Sequence, residues 1–225
     1  MKTIKTIYFG DSIMASDGKP YHYDNENNHD DYQKIARGYP TLLNEQLGLV
    51  NIGNYAVGGQ TIRQQLDIIL KQDLKEADFC LIAVGINDFS VGTKIGTLPK
   101  STDTEFDVDT FYGAYCKALD HIFKSNPNIK VMLMTPLHRD TLRRTPPARQ
   151  SGIDTVINGN TVLDYSNAIK RIGEFFSCPV VDMYAKCGLN RYNLPLYTFE
   201  GVHPTNAGYE FIFPVLKNAV KSILF

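Results

Sequence analysis

The chain has 225 residues, a formal net charge of −1 at pH 7 and a hydrophobic fraction of 43%. These values are typical of a globular protein with a sizeable core, and the near-neutral charge argues against nucleic acid or an acidic membrane surface as the main partner. No apolar run approaches the ~18 residues of a membrane span, and no apolar segment of signal-peptide length precedes the first strand-like run. We therefore expect a cytoplasmic protein with no membrane partner, although a trimmed secreted chain would look the same.

Strand-like and helix-like patterns alternate along the chain. In order, the runs TIKTIYF and LVNIGNYA are followed by an apolar stripe from Ile62, DFCLIAV by one from Phe111, IKVMLMT by one from Val162, and CPVVDMY by one from Tyr209. The runs are apolar or β-branched and bounded by Gly, Asn or Pro, which predicts buried strands. The stripes recur every three or four residues, which predicts amphipathic helices, the last one kinked at Pro214.

This alternation predicts an α/β fold. Five strands connected by helices indicate a three-layer α/β/α arrangement around a five-stranded, parallel, doubly wound sheet of flavodoxin-like strand order. Each helical stripe would cover one face of that sheet. Because no composition break or internal repeat divides the chain, we predict one domain over residues 1–225.

Two segments without a periodic pattern are long, residues 19–38 and residues 89–106. Loops of this length in a globular domain usually have a function or are disordered. The first segment is polar, and its candidate metal ligands are His22, Asp24, His29, Asp30 and Asp31. Their spacing matches no known ligand pattern, so we predict a solvated loop near the site and no metal.

Glycine and polar residues follow four of the predicted strands. They are GDS (10–12) after the first, NYAVGGQT (54–61) after the second, GIND (85–88) after the third, and EGVHPT (200–205) beyond the fifth. The carboxyl ends of the strands in a doubly wound sheet open on one edge, where ligands bind. Together the pieces supply a hydroxyl, a flexible backbone N–H, an amide and an acid–histidine pair, which are the groups of a serine hydrolase. Taken alone, GDS also fits an ordinary turn, in which Gly supplies unusual backbone angles and Asp and Ser bond to local backbone.

In order and approximate spacing, these four pieces resemble the four blocks of the SGNH (GDSL-type) esterase and lipase superfamily, and the resemblance covers essentially the whole chain. It implies that Ser12 is the nucleophile and that its own N–H is one oxyanion donor. Gly59 would provide the second donor through its backbone N–H, and the Asn87 side-chain amide the third. Gly58 is the alternative to Gly59, because adjacent glycines leave an ambiguity of one residue. His203 matches the general base.

Glu200 departs from the family pattern, which has Asp three residues before the histidine. A carboxylate there would hold the His203 imidazole in the required tautomer, and Glu can do so if the loop retreats by about one methylene. Alternatively, Glu200 is a surface residue, and a Ser12–His203 dyad is oriented by a backbone carbonyl. Asp182, after the fifth strand, is interpreted as the residue that ends that strand.

Of the other histidines, His22, His121 and His138 lack an acidic residue at the same spacing, whereas His29, in the polar segment 19–38, has Glu26. His138 follows the fourth strand together with Arg139, Arg143 and Arg144. These groups are interpreted as solvated loop charges, with contact to a polar substrate as the alternative.

The resemblance implies two-step acyl transfer without a metal or other cofactor, in a superfamily of lipases, thioesterases, lysophospholipases and carbohydrate O-deacetylases. The segments YHYDNENN and GTKIGT are polar and aromatic, which favours short acyl groups, acetyl above all, on small-molecule or saccharide esters. A lysophospholipase or thioesterase of the same superfamily is one alternative. The other is a non-catalytic, flavodoxin-like binding domain, although the chain contains neither GxGxxG nor GxxxxGK[ST].

Overall fold

A computed structural model describes residues 3–25, 27–140 and 152–225 of the chain. Its sheet is wholly parallel, in the order β2-β1-β3-β4-β5. The strands are β1 (Lys5–Gly10), β2 (Val50–Asn54), β3 (Phe79–Ala83), β4 (Lys130–Met134) and β5 (Val180–Val181). The sheet confirms the predicted α/β fold and its flavodoxin-like strand order. The fifth strand is shorter than the run CPVVDMY, because Asp182 already caps the following helix.

Helices connect the strands and follow the last one. They are α1 (Ser12–Ala15), α2 (Tyr39–Leu47), α3 (Ile62–Ile69), α4 (Ile86–Val91), α5 (Phe111–Ser125), α6 (Val162–Phe176), α7 (Met183–Lys186), α8 (Leu194–Tyr197) and α9 (Asn206–Leu224). The four predicted stripes correspond to α3, α5, α6 and α9, and α9 continues through Pro214. None of the helices in the described ranges is long and apolar enough to cross a membrane.

The core lies on both faces of the sheet. Helices α3, α5 and α6 pack on one face with Ile7 and Phe9 of β1, whereas α2 and α9 pack on the other face with Tyr8. Successive side chains of a strand point to opposite faces, so a strand buried on both sides is apolar throughout. This is why β1, β3 and β4 were visible in the sequence as continuous apolar runs. The prediction that the second run is a buried strand is wrong, because β2 lies at the edge of the sheet and Val50 and Ile52 are exposed.

The polar pieces that follow β1 and β3 lie beside each other at one edge of the sheet. Gly10 of β1 pairs with Ala83 of β3, so α1 and α4 both begin just beyond paired strand ends. The chain leaves β1 for β2 on one side and returns to β3 on the other. Doubly wound sheets bind ligands at such a switch point.

Candidate active site

Ser12 is the first residue of α1, directly after β1. The carboxylate of Asp11 caps this helix, because its Oδ1 accepts the Ile13 N–H at 3.0 Å. Burial raises the pKa of the Asp11 carboxyl to about 6. Gly10 is needed for space and not for an unusual φ, since a Cβ there would lie 2.7 Å from the Met14 Cβ and 3.0 Å from the Ala83 carbonyl oxygen. Asp11 therefore has the local capping role of a turn residue, while the Ser12 side chain faces another part of the chain.

His203 lies next to Ser12, with 2.8 Å between the Ser12 Oγ and the His203 Nε2. The other ring nitrogen, Nδ1, is hydrogen-bonded to the Glu200 Oε1, which also accepts the His203 backbone N–H at 3.3 Å. Glu200 is only 5% exposed and is not a surface residue. If Nδ1 donates to the carboxylate, Nε2 is left as the acceptor for the Ser12 hydroxyl proton.

A tight loop allows Glu200 to reach the ring. The Phe199 N–H donates to the His203 carbonyl oxygen at 2.9 Å, and Gly201 has a φ of 84°, which an L side chain rarely adopts. Thr205 then caps α9, with its hydroxyl accepting the Gly208 N–H at 3.0 Å. Hydrogen bonds within residues 199–205 thus hold the loop that connects Glu200 to α9.

A turn that contains both glycines of GGQT lies beside Ser12. The Gln60 N–H donates to the Val57 carbonyl oxygen at 3.3 Å, and Gly59 has a φ of 78°, as the third residue of a type II turn requires. A Cβ on Gly58 would lie 3.8 Å from the Ser12 Cβ. Within the described ranges, the backbone N–H groups of Ser12, Gly58 and Gly59 have no protein acceptor, so the choice between the two glycines stays open.

Asn87 lies in the first turn of α4 and faces the same turn. Its Nδ2 donates to the Gln60 carbonyl oxygen at 3.1 Å, which uses one of the two amide hydrogens and fixes the side chain. Gly85, which caps α4, has a φ of 125°, and a Cβ there would lie 3.2 Å from the Pro136 Cγ. The sharp bend at Gly85 therefore brings Asn87 to the edge of the sheet.

These groups line an open cleft of about 1380 Å³. Ser12, His203, Glu200, Asn87 and Gly59 all contribute to its wall. Geometrically, the cleft presents a hydroxyl beside an imidazole, a carboxylate behind the imidazole, and backbone and amide N–H donors nearby. This is the set of groups that acyl transfer requires.

A family model described as GDSL-like Lipase/Acylhydrolase matches residues 8–211. The chain belongs to the GDSL-like lipase/acylhydrolase family. This membership confirms the resemblance predicted from the four sequence pieces, and it makes the protein a member of a family of hydrolases. Among curated protein sequences, none matches this acylhydrolase significantly.

Solved structures share the fold of this GDSL-like acylhydrolase. A possible lipase from Chitinophaga pinensis is 24% identical, with a TM-score of 0.75 over 98% of each chain. A protein from Lactobacillus plantarum is 19% identical, with a TM-score of 0.75 over 100% of both chains. The acetyl xylan esterase AlAXEase is 22% identical, with a TM-score of 0.62 over 99% of this chain and 100% of its own. At these identities the likeness shows the shared fold alone.

The long segment 19–38 of the acylhydrolase packs against the segment that carries Glu200 and His203. The His29 Nε2 lies 2.9 Å from the carbonyl oxygens of Pro195 and Thr198, and the Asp31 carboxylate accepts the Asn206 N–H at 2.9 Å. In the part of the chain that the structure describes, no group of three His, Cys, Asp or Glu side chains could hold a metal ion. The hydrogen bonds of His29 and Asp31 hold this segment against the rest of the protein, so it is not simply a solvated loop.

The second long segment differs from its prediction. Residues 92–97, GTKIGT, do not contribute to the described wall of the cleft. Instead, the carbonyl oxygens of Lys94 and Ile95 accept the N–H groups of Phe111 and Tyr112 at 2.8 and 3.1 Å, at the start of α5. Residues 89–91, at the start of the same segment, do line the cleft, whereas the backbone of GTKIGT satisfies a helix N-terminus.

The charges after β4 also differ from a solvated loop. His138 stacks on Tyr184 with 4.3 Å between ring centroids, and burial lowers the pKa of its imidazole. The Arg139 Nη1 lies 2.6 Å from the Ser90 Oγ, and Arg139 lines the cleft. Arg143 and Arg144 lie outside the described residues.

Asp182 agrees with its interpretation as the residue that ends a strand. It caps α7 by accepting the Ala185 N–H at 3.2 Å, and its other oxygen lies 2.7 Å from the Lys170 Nζ. A cap and an ion pair occupy this carboxylate, and it does not belong to the described wall of the cleft.

Sequence reasoning missed two side chains that contact the site. Gln65 is fully buried, and its Oε1 accepts the Gly10 N–H at 3.1 Å while its Nε2 donates to the Gln60 side chain at 2.5 Å. A polar residue on the apolar face of α3, next to Leu66, was the available signal. The other missed side chain is Tyr23, whose ring stacks on His203. No local pattern marks that contact, because the two residues are far apart in the sequence.

Proposed function

We propose that this GDSL-like acylhydrolase is a serine esterase that hydrolyses short-chain acyl esters, acetyl esters above all, with Ser12 as nucleophile and His203 as general base. The observation that carries the proposal is the 2.8 Å separation of the Ser12 Oγ and the His203 Nε2, with Glu200 on the other ring nitrogen. A nucleophile, a base and an orienting acid in this arrangement are the triad of acyl transfer.

In the first step, the Ser12 Oγ bonds to the ester carbonyl carbon as its proton moves to the His203 Nε2. The carbonyl electron pair moves to the oxygen, which becomes an oxyanion. The backbone N–H groups of Ser12 and Gly59 and the second amide hydrogen of Asn87 are the donors proposed for it. When the intermediate collapses, the bond to the leaving alcohol breaks and the alcohol oxygen takes the proton from His203.

In the second step, water releases the acyl group. His203 takes a proton from water as the water oxygen attacks the acyl carbon, and the proton passes to the Ser12 Oγ as the acyl–serine bond breaks. The Glu200 carboxylate holds the ring orientation and stabilises the imidazolium in both steps. The proposed steps require no metal or other cofactor.

Polar side chains on the cleft wall support a hydroxylated leaving group, such as a saccharide. Lys19, His22 and Tyr23 all line the cleft and come from the segment 19–38. The ammonium group of Lys19 and the imidazole of His22 can hydrogen-bond to hydroxyls of the alcohol portion of an ester. We therefore propose acetyl esters of carbohydrates as one natural substrate class.

Apolar side chains on another part of the cleft wall favour a second candidate function within the same family. Apolar side chains also line the cleft, namely Ile86, Phe89, Val91, Ile157 and Val202. Such a surface can hold a longer acyl chain, as in a lysophospholipase or thioesterase. The volume of about 1380 Å³ is large enough for either substrate.

The primary test measures hydrolysis of p-nitrophenyl acetate by the wild type and by Ser12→Ala. The substitution should lower turnover by about 10³-fold or more with the fold intact, because only binding and oxyanion stabilisation remain. Ser222→Ala, at an exposed serine of α9, is the matched control. A fluorophosphonate should label the wild type at Ser12 by peptide mass spectrometry and leave the Ser12→Ala protein unlabelled. Turnover above about a tenth of the wild-type value in Ser12→Ala would refute the assignment.

A substrate panel separates the two candidates. We expect kcat/KM to fall from p-nitrophenyl acetate through butyrate and octanoate to dodecanoate, and acetylated sugars to release acetate. A rise with chain length would instead favour the apolar wall and the second candidate. A visible spectrum of the purified protein tests for bound flavin, which the non-catalytic alternative requires.

A further inference from the structure

Tyr23 contacts both residues of the proposed reacting pair. Its ring stacks on the His203 imidazole with 3.6 Å between centroids and 4° between ring planes. Its hydroxyl donates to the Ser12 carbonyl oxygen at 3.1 Å. Ser12 and His203 are 191 positions apart in the chain, so one side chain bridges two distant segments at the point where they meet.

The hydroxyl of Tyr23 belongs to a cluster around the Ser12 carbonyl. That oxygen also accepts the Ser16 N–H at 3.1 Å and lies 2.6 Å from the Ser16 Oγ, which is 2.5 Å from the Tyr23 hydroxyl oxygen. The two hydroxyl hydrogens make two of the three hydroxyl contacts at a time, so Tyr23 holds the Ser12 carbonyl either directly or through Ser16. Helix α1 has only four residues, too few to be stable by itself. The position of Ser12 therefore depends on side chains that hold its backbone.

The ring of Tyr23 restrains a movement of the His203 imidazole that the hydrogen bond to Glu200 leaves possible. The hydrogen bond from the His203 Nδ1 to Glu200 restrains one edge of the imidazole, but rotations about the Cα–Cβ and Cβ–Cγ bonds can still combine to tilt the ring. The Tyr23 ring lies nearly parallel to the imidazole, with 3.6 Å between centroids, and blocks this movement on one face. The acid therefore fixes the direction of the imidazole, and Tyr23 fixes its plane.

Tyr23 is itself held in place. The His22 ring packs on it at 4.8 Å and the Phe199 ring at 6.3 Å. The same segment is attached to the loop of the base by Asn27, whose N–H donates to the Phe199 carbonyl oxygen at 3.2 Å and whose Nδ2 donates to the Thr198 carbonyl oxygen at 2.9 Å. Segment 19–38 thus moves with the loop that carries His203 and supplies a fixed contact to Ser12.

We propose that Tyr23 is a positioning residue that sets the geometry between the Ser12 Oγ and the His203 Nε2. The ring fixes the plane of the imidazole, and the hydroxyl fixes the backbone of the nucleophile. The proposal rests on the proposed esterase function, in which these two atoms exchange a proton. It assigns a role in the reaction to the long segment 19–38.

Two substitutions separate the contributions of ring and hydroxyl. Tyr23→Leu removes both, and we expect kcat for p-nitrophenyl acetate to fall by about tenfold to a hundredfold, because misplaced reacting groups lose rate steeply. Tyr23→Phe keeps the stack, so it should recover most of this loss and remain within about tenfold of the wild type. KM should change little in both variants, since the reacting pair and not the substrate site is displaced. Fluorophosphonate labelling of Ser12 should slow in the same order.

Tyr32→Leu and Tyr32→Phe are the matched controls, because Tyr32 lies in the same segment but its side chain is 42% exposed. Thermal unfolding shows whether each variant folds, and if Tyr23→Leu does not, the kcat loss of Tyr23→Phe with unchanged KM decides. An active wild type with unchanged kcat and labelling in the folded Tyr23 variants overturns the positioning role and leaves the esterase function standing. A rise in KM with unchanged kcat also overturns it, because Tyr23 would then be a substrate contact. A wild type that neither hydrolyses esters nor reacts with fluorophosphonate overturns the esterase function and this proposal together.

Discussion

The carboxylate of Asp88 accepts the backbone N–H of Ile62, with Oδ2 at 3.0 Å and Oδ1 at 3.3 Å. This contact joins α4, which carries Asn87, to the N-terminus of α3. Asp88 is fully buried, and burial raises the pKa of its carboxyl to about 7. The proton on this group is therefore held more tightly in the folded protein than in the unfolded chain.

This relationship predicts a pH dependence of stability. Because the folded pKa lies above the unfolded value, the free energy of unfolding should decrease as pH rises from about 4 to about 7. Asp88→Asn keeps an acceptor for the Ile62 N–H but cannot ionise. As pH is raised from 5 to 8, the free energy of unfolding of the variant, measured in urea, should increase by about 2–3 kcal/mol relative to that of the wild type. Asp73→Asn is the matched control, because the exposed Asp73 carboxylate also accepts a backbone N–H. A difference between the Asp88 variant and the wild type that does not change with pH would contradict the prediction.

Asn87→Ala tests the proposed oxyanion donor. Turnover should fall by about 10²- to 10³-fold with little change in KM, because the donor acts on charge that develops only in the transition state. Asn128→Ala, at an exposed position before the start of β4, is the matched control. If KM rises while turnover holds, Asn87 binds the substrate ground state and is not an oxyanion donor.

Substitutions of Glu200 test the acid that departs from the family pattern. Glu200→Gln should lower turnover more than Glu200→Asp, because Gln loses the charge that stabilises the imidazolium whereas Asp loses only reach. Glu174→Gln, at an exposed carboxylate of α6, is the control. Near wild-type turnover in Glu200→Gln would leave a Ser12–His203 dyad.

The charges on the cleft wall predict a preference among esters. Among the described residues of that wall, the permanently charged side chains other than Glu200 are Lys19 and Arg139, both cationic. We expect the ratio of kcat/KM for 4-acetoxybenzoate to that for its methyl ester to fall about two- to fivefold in Lys19→Gln. High salt should reduce the ratio in the wild type. Lys71→Gln, at an exposed lysine outside the cleft, should leave the ratio unchanged, and an unchanged ratio in Lys19→Gln would show that its charge has no role.

Local patterns were sufficient for the architecture and for the membership of the family. Buried strands have apolar residues on both faces and amphipathic helices have one apolar stripe, so β1, β3, β4 and the helices α3, α5, α6 and α9 each have a recognisable pattern in a short stretch of sequence. The parallel order then places every strand end on one edge. This is why GDS, GGQT and GIND were expected together although they are far apart in the chain.

The same reasoning fails where a contact joins residues without a periodic pattern. The short helix α2 lies next to the long polar segment and was not singled out, and the segment GTKIGT satisfies the start of α5 and does not flank the cleft. Arg139 was interpreted as a solvated charge, yet it lines the cleft beside Ser90. Side-chain partners of this kind depend on which loops meet, and loop lengths alone do not specify that.

The sequence by itself determined the fold, through local periodicity and the order of the elements. The family and the candidate residues of the site followed from the resemblance of four motifs to those of the superfamily. Only the tertiary structure decided that Glu200 is buried beside the His203 ring and that Tyr23 stacks on a face of the same ring. The Tyr23 stack depends on the packing of segment 19–38 against residues 198–205. Contacts between such distant segments arise from packing in three dimensions, for which the sequence has no short-range signature.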